Sequence, residues 1–218
     1  MFDSSSPPSA CPFCAIAAVH TPYDPSHPPP TVDPTLTSPS SFIVLSTPLL
    51  IAFLDIMPLS HGHLLLCPRA HRPKLTDATR QESFQLGDSV RILSAALARA
   101  TGVEDWNVLQ NNGAAAAQVV PHMHYHVIPR PEIRARGKGH ESFTMFGRGQ
   151  RGDLDEDEAV VLAGRIREEV ARVMREEEED KDRIREAKRD IIGEDGKKKD
   201  RTRQDEHQKR LEEAKVKL

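Results

Sequence analysis

Pro121-His122-Met123-His124-Tyr125-His126-Val127-Ile128-Pro129-Arg130 sets a histidine at every second position across five residues. Successive side chains of a strand point to opposite faces, so His122, His124 and His126 share one face while Met123, Tyr125 and Val127 take the other. Neighbouring imidazoles on that face would stand about 6.6 Å apart along the strand. Packing alone gives no reason for such a row. Three readings follow from the triplet itself: a catalytic site, a metal site built on the His-x-His pair, or a plain polar face.

The residues just upstream narrow the choice of ligand. Asn111-Asn112-Gly113 reads as a turn, Ala114 to Ala117 keeps the following loop tight, and Gln118 adds a further amide. Amides beside a histidine row suit an anionic, oxygen-rich group such as phosphate.

Working outward, apolar runs at Phe42–Ser46 and Leu49–Leu54 flank Thr47-Pro48 and predict a hairpin. Asp55 to Gly62 reads as a loop, His63 to Cys67 as a third strand stopped by Pro68, and Trp106 to Leu109 as a fourth. The triplet strand, His122 to Ile128, is the fifth. Leu75-Thr76-Asp77 opens a helical stretch whose best part runs from about Glu82 to Ala100. Phe84, Leu86, Val90, Leu93 and Leu97 lie on one side of it and Gly102 stops it. Five antiparallel strands with one packed helix make an α+β fold.

The 218-residue chain has room for one ordinary domain and an appendage. The expected division is a compact domain over 1–150, interrupted by a Pro-rich insertion at about 20–41, and a charged, partly disordered helical extension over 151–218. The insertion, with Pro28-Pro29-Pro30, reads as a mobile loop unable to bury a core. In the extension a helix is expected from about Asp155 to Met174, with Val160, Val161, Ile166, Val170 and Val173 as its apolar residues. A solvated charge run follows. Within it, Lys197-Lys198-Lys199 fits either nuclear import or a plain solvated face.

The net charge of −3 argues against general nucleic-acid or anionic-membrane binding. The longest apolar run, Leu49 to Leu54, is far too short for a membrane span. The N-terminus lacks the basic flank and apolar core of a signal peptide, so cytoplasm, nucleus or both are expected. Three cysteines in such a compartment do not suggest a disulfide framework. Cys11 and Cys14 form a C-x-x-C that leaves metal and redox roles open. No thioredoxin-like pattern follows it, and Cys67, in mid-strand, reads as a core residue.

Two ordered blocks carry a resemblance. One is Leu109-Gln110-Asn111-Asn112-Gly113 through Gln118 to His122-Met123-His124-Tyr125-His126-Val127-Ile128. The other is Ala52-Phe53-Leu54-Asp55-Ile56-Met57-Pro58 followed by Gly62-His63-Leu64-Leu65-Leu66-Cys67-Pro68-Arg69-Ala70-His71. Over about Cys11 to Arg130 the chain resembles the histidine-triad (HIT) family, whose motif is His-φ-His-φ-His-φ-φ with φ apolar.

The resemblance implies a HIT-like fold and a hydrolase that attacks the α-phosphorus of an adenosine nucleotide. His124 would be the nucleophile, forming a nucleotidyl-histidine intermediate that water resolves. A backbone carbonyl on the strand preceding the triad strand region would fix its tautomer. His126 would help bind phosphate oxygens. Gln118 and Asn111 match positions that contact phosphate or leaving group. Asp55 matches the acceptor for the ribose hydroxyls, although a turn aspartate before Pro58 reads equally well from sequence. Ile56 would pack on sugar or base. The resemblance also implies structural zinc on Cys11, Cys14, His71 and His122, against the plainer reading of two free thiols and a surface histidine. His122 would then be unable to carry protons. No organic cofactor is implied. His63 fits a pocket lining or a satisfied core histidine, and His20, His27, His140 and His207 receive no role.

The chain departs from the pattern after Gln118. Some phosphoramidate-cleaving members of the family it resembles carry a hydroxyl residue there, and this chain has Val119. Three functions are therefore carried forward: adenylate phosphoramidate hydrolysis, dinucleoside polyphosphate hydrolysis, and a nucleotide-binding adaptor whose helix from Asp155 recruits a partner. The family often completes its pocket across a homodimer, and Phe143, Phe146 and Arg148 are the candidates for that contact here.

Overall fold

A computed structural model describes residues 11–131 and 152–215, with side chains described as far as 189 except at 187. Phe143, Phe146, Arg148 and His140 lie outside the described residues, as do the side chains of Lys197, Lys198, Lys199 and His207.

The chain order is α1 (Pro12–Val19), β1 (Ile43–Ser46), β2 (Leu50–Leu54), β3 (Leu64–Pro68), α2 (Arg80–Thr101), β4 (Trp106–Gln110), β5 (Tyr125–Pro129) and α3 (Glu156–Lys215). The strands form one sheet ordered β1-β2-β3-β5-β4 with every pairing antiparallel, as the α+β reading expects. Both faces of its centre are covered. Leu50, Ala52, Leu54, Leu64, Leu66, Met123 and Val127 pack with α2 and the start of α3. Ile51, Phe53, Leu65 and Cys67 alternate with them and pack under Cys11 and Phe13. Because both faces are buried, β2 and β3 read as continuous apolar runs instead of an alternating pattern.

Helix α2 starts two residues earlier than its apolar pattern predicts. Thr79 caps it: Thr79 Oγ1 accepts from Glu82 N–H at 3.2 Å and the Glu82 carboxylate accepts from Thr79 N–H at 2.6 Å. This reciprocal capping box was legible as Thr-x-x-Glu. Gly102 ends the helix at φ 69°, a left-handed conformation that suits glycine. Phe84, expected on the core face, is 66% exposed beneath the Arg80 guanidinium, and Ile92 and Ala96 take the buried side.

Three further expectations change. The triplet strand begins at Tyr125, not His122. His122 N–H bonds to the Val120 carbonyl and Met123 N–H to that of Arg72, so 122–124 turn before sheet pairing starts. The alternation survives the turn, with Met123 in one core and the histidines on the other face. The Pro-rich segment is tied to the sheet more closely than a coreless loop would be. Tyr23 N–H donates to Ser46 O at 2.9 Å, Arg69 Nη2 to His20 O at 2.7 Å, and buried His20 bonds Ser41 Oγ at 2.8 Å. The first compact unit also extends past 150 to Met174. Ala159, Leu162, Ala163, Ile166, Val170 and Val173 are buried in it, while Val160 and Val161 face out.

The second unit, from Arg175, is the rest of α3. Its described ion pairs, mostly i,i+3 like Arg185–Asp182 at 2.9 Å, are exposed contacts of the kind that contribute little. Among the described residues no helix is long and apolar enough to cross a membrane.

Candidate active site

The face of the sheet carrying Phe53 and Leu65 also carries the histidines, since His126 pairs with Leu65 in register. His124 is 6% exposed, and its Nδ1 lies 2.7 Å from the His122 carbonyl oxygen. A carbonyl only accepts, so Nδ1 holds the proton and Nε2 keeps its lone pair. The orienting carbonyl therefore comes from His122, two residues upstream, and not from a preceding strand. The bend at 122–124 brings it round to the ring. Phe13 packs edge-on to His124, with centroids 5.1 Å apart at 89°. Sequence reading gave Phe13 no role, and its place between the two cysteines was the only signal.

His126 is set by a chain of bonds that begins in the backbone. Leu59 N–H donates to His63 Nδ1 at 3.2 Å, so neutral His63 carries its proton on Nε2. That Nε2 lies 2.9 Å from His126 Nδ1 and donates to it. His126 in turn keeps its proton on Nε2. His63 is fully buried and does not line the cavity; it fixes the tautomer of a residue that does. Asp55, His63 and His126 also bring three donor atoms within 4.8 Å of one another, an arrangement that could hold a cation. Asp55 joins this cluster through its Oδ2, which stands 3.4 Å from His63 Nδ1.

A cavity of about 760 Å³ opens in front of these rings. His124, His126, Asn111, Asp55 and Ile56 line it, five of the residues named from sequence. Asp55 serves the turn as well, accepting from Met57 N–H at 2.9 Å. Gln118 does not line the cavity. Its Oε1 accepts from Gly113 N–H at 2.6 Å and its Nε2 donates to Pro73 O at 2.7 Å, so it clamps the loop that presents Asn111. Val119 lines the cavity and is 68% exposed.

Cys11, Cys14, His71 and His122 meet beside this site, their four ligand atoms all within 4.8 Å of one another. Cys11 Sγ lies 3.3 Å and Cys14 Sγ 3.6 Å from His122 Nδ1, and Cys14 Sγ lies 3.4 Å from His71 Nδ1. Tetrahedral zinc with ordinary Zn–S and Zn–N bonds places sulfur and nitrogen roughly 3.5 Å apart, so the spacing fits. His122 Nε2 donates to Pro68 O at 2.8 Å, which leaves Nδ1 free to ligate. Burial pushes the His122 imidazole down to about 4, keeping it neutral as a ligand must be. Burial and neighbouring Cys11 push the Cys14 thiol up to about 12, a cost that a bound cation would remove. The set can hold a metal ion and would serve structure, because all four positions are filled by protein.

A family model described as the HIT domain matches residues 37–133. Over 100 residues the chain is 41% identical to adenosine 5'-monophosphoramidase hnt1 of Schizosaccharomyces pombe, covering 45% of this chain and 72% of that protein. The chain belongs to the HIT family. It is also 44% identical over 82 residues to adenylylsulfatase HINT3 of Arabidopsis thaliana. There the match covers 38% of this chain and 42% of the relative, so it spans less than half of that protein's length. A zinc-bound histidine triad family protein from Mycobacterium smegmatis shares the fold, with a TM-score of 0.53 at 25% identity over 78% of this chain and 99% of that one. The HIT match starts at residue 37, so Cys11, Cys14 and most of the Pro-rich segment lie outside it.

Proposed function

We propose that this HIT protein hydrolyses adenosine 5'-phosphoramidates at the α-phosphorus through a covalent nucleotidyl-His124 intermediate. The observation that carries the reading is the Nδ1–H bond from His124 to the His122 carbonyl at 2.7 Å, which leaves Nε2 as the nucleophile beside the cavity. The names of the fission-yeast and Arabidopsis relatives support the adenylyl substrate class.

In the proposed cycle Nε2 of His124 attacks phosphorus in line and the phosphorus–nitrogen bond of the substrate breaks. The His126 Nε2–H donates to a phosphate oxygen as negative charge grows there. The amine leaves with a proton taken from solvent at the open end of the cavity, where Val119 supplies no hydroxyl. Water then cleaves the phosphorus–Nε2 bond, releasing the monophosphate and restoring neutral His124. Asp55 accepts from the ribose hydroxyls, Asn111 contacts the phosphate, and Ile56 packs on the nucleoside.

Zinc on Cys11, Cys14, His71 and His122 would pin α1 to the sheet; bound there, it supplies structure and no chemistry. A second copy of the chain is the proposed partner for the sheet edge. β4 is an edge strand, and Trp106 and Val108 on it are 41% and 39% exposed. Thiolate ligands need a reducing compartment, in line with a cytoplasmic or nuclear protein.

Mass spectrometry after a rapid quench in alkaline denaturant, following mixing with adenosine 5'-phosphoramidate, tests the reading. A nucleotide adduct on the peptide containing His124 is expected. Faster turnover of a diadenosine polyphosphate would favour the second hydrolase reading, and wild-type turnover no greater than that of His124→Ala would leave only the adaptor.

A further inference from the structure

The Pro-rich segment has no part in the cycle above, yet it forms a wall of the cavity. Leu36 and residues 37–41 line it together with Ile16 and Val19 of α1. From Phe13, beside the nucleophile, to Val19 is six helical residues, about 9 Å along α1. The cavity thus runs well beyond the reacting centre. Its titratable lining side chains are Asp55, His124 and His126, all needed at the phosphate and ribose. What remains for the rest of a nucleotide is apolar surface and hydroxyl groups.

The wall is held in place. His20, at the C-terminal cap of α1, bonds Ser41 Oγ at 2.8 Å, and Thr37 Oγ1 donates to Ser41 Oγ at 2.9 Å. Ser41 N–H bonds Pro34 O at 3.0 Å. These bonds join the end of α1 to the end of the Pro-rich segment and so set the width between them. They occupy the hydroxyls of Thr37 and Ser41. The Ser38 and Ser40 hydroxyls hold no partner among the described residues, and both residues line the same cavity. Leu36 lines it too and is 50% exposed, as a side chain awaiting a ligand would be. A flat apolar body with neutral donors and acceptors at its edge fits this wall; that is the chemistry of a purine base.

We propose that Leu36, Ser38 and Ser40 form a base-recognition wall, so that selection of the nucleobase rests on the Pro-rich segment. The inference rests on the nucleotide reading above and deepens it.

Calorimetric binding of AMP, GMP and ribose 5-phosphate tests it without requiring turnover. The wild type should bind AMP more tightly than ribose 5-phosphate. Leu36→Ser should cut that advantage about tenfold, the effect of losing one apolar side chain from a ligand contact. Ser38→Ala combined with Ser40→Ala should change the AMP-to-GMP affinity ratio by at least about threefold, one lost neutral hydrogen bond. The proposal is overturned if AMP has no advantage over ribose 5-phosphate in the wild type, or if both variants keep the wild-type ratios. A base advantage that depends on Leu36, without hydrolysis of adenosine 5'-phosphoramidate, would sustain the wall while refuting the proposed activity.

Discussion

His122 faces two ways: its ring nitrogen stands 3.3 Å from Cys11 Sγ, while its backbone oxygen takes the Nδ1 proton of His124 at 2.7 Å. The residue that would anchor a metal is thus the one that orients the nucleophile. Phe13, carried between the two cysteines, touches both rings, with centroids 5.8 Å from His122 and 5.1 Å from His124. Metal-site integrity and catalysis should therefore fail together.

Cys14→Ser should lose bound zinc and lower unfolding free energy by at least about 2 kcal/mol, because a closed structural site contributes its binding energy to folding. kcat should fall as well, since α1 and Phe13 are no longer pinned. Metal analysis beside thermal melts of both proteins checks this. An unchanged melting temperature, or zinc-free wild type from zinc-supplemented cells, would refute the assignment.

His124→Ala should reduce turnover by at least about 10⁴-fold, as removal of a covalent nucleophile does elsewhere. AMP affinity should change by less than about tenfold, because the ring donates no bond that the bound monophosphate requires. Single-turnover kinetics and calorimetry on the same preparation separate the two effects.

Replacing His63, which never reaches the cavity, should still impair chemistry. His63→Phe removes the donor to His126 Nδ1 and frees that ring to change tautomer. A loss of about 10- to 100-fold in kcat is expected, in the range seen when an orienting partner is removed. KM should move less. A variant with normal kcat would show that the His126 tautomer is set by something else.

Glu82 links stability to acid. Burial alone would raise its carboxyl, but hydrogen bonds from the Thr79 backbone and from Arg72 outweigh that and hold it below its ordinary value of 4.5. A lowered folded value means that the contribution is present above the ordinary value and is lost as pH falls through the folded one. Melting temperatures of wild type and Glu82→Gln should differ most near neutrality and converge as pH falls below 4.5. A constant gap down to pH 3 would contradict this.

Deleting residues 175–218 should leave cooperative unfolding of the first unit intact, because among the described residues of α3 the buried ones end at Val173. Deleting from residue 155 should abolish it, since Leu162, Ile166 and Val170 leave the core. Circular dichroism melts of the two truncations decide.

Much of this was legible in the chain itself. Two-residue alternation put Met123 and Val127 in the core and the three histidines on the opposite face. Apolar runs marked β1, β2 and β3, the histidine alternation marked β5, and Gly102 marked the end of α2. Such patterns are properties of neighbouring residues, so the sequence carries them directly. Phe84 and the insertion were misjudged for the same reason. A face of a helix, or the partners of a loop, depends on what packs there, and Arg69, the ligand of the His20 carbonyl, lies 49 residues away.

The tertiary structure alone decided the chemistry of each ring. Which nitrogen of His124 carries the proton follows from a carbonyl brought round by a bend. The His126 tautomer follows from a histidine 63 residues earlier. The metal set joins Cys11 to a histidine 111 residues on. Local periodicity names the face a side chain shares; only folding brings distant donors to the atom where the proton must sit.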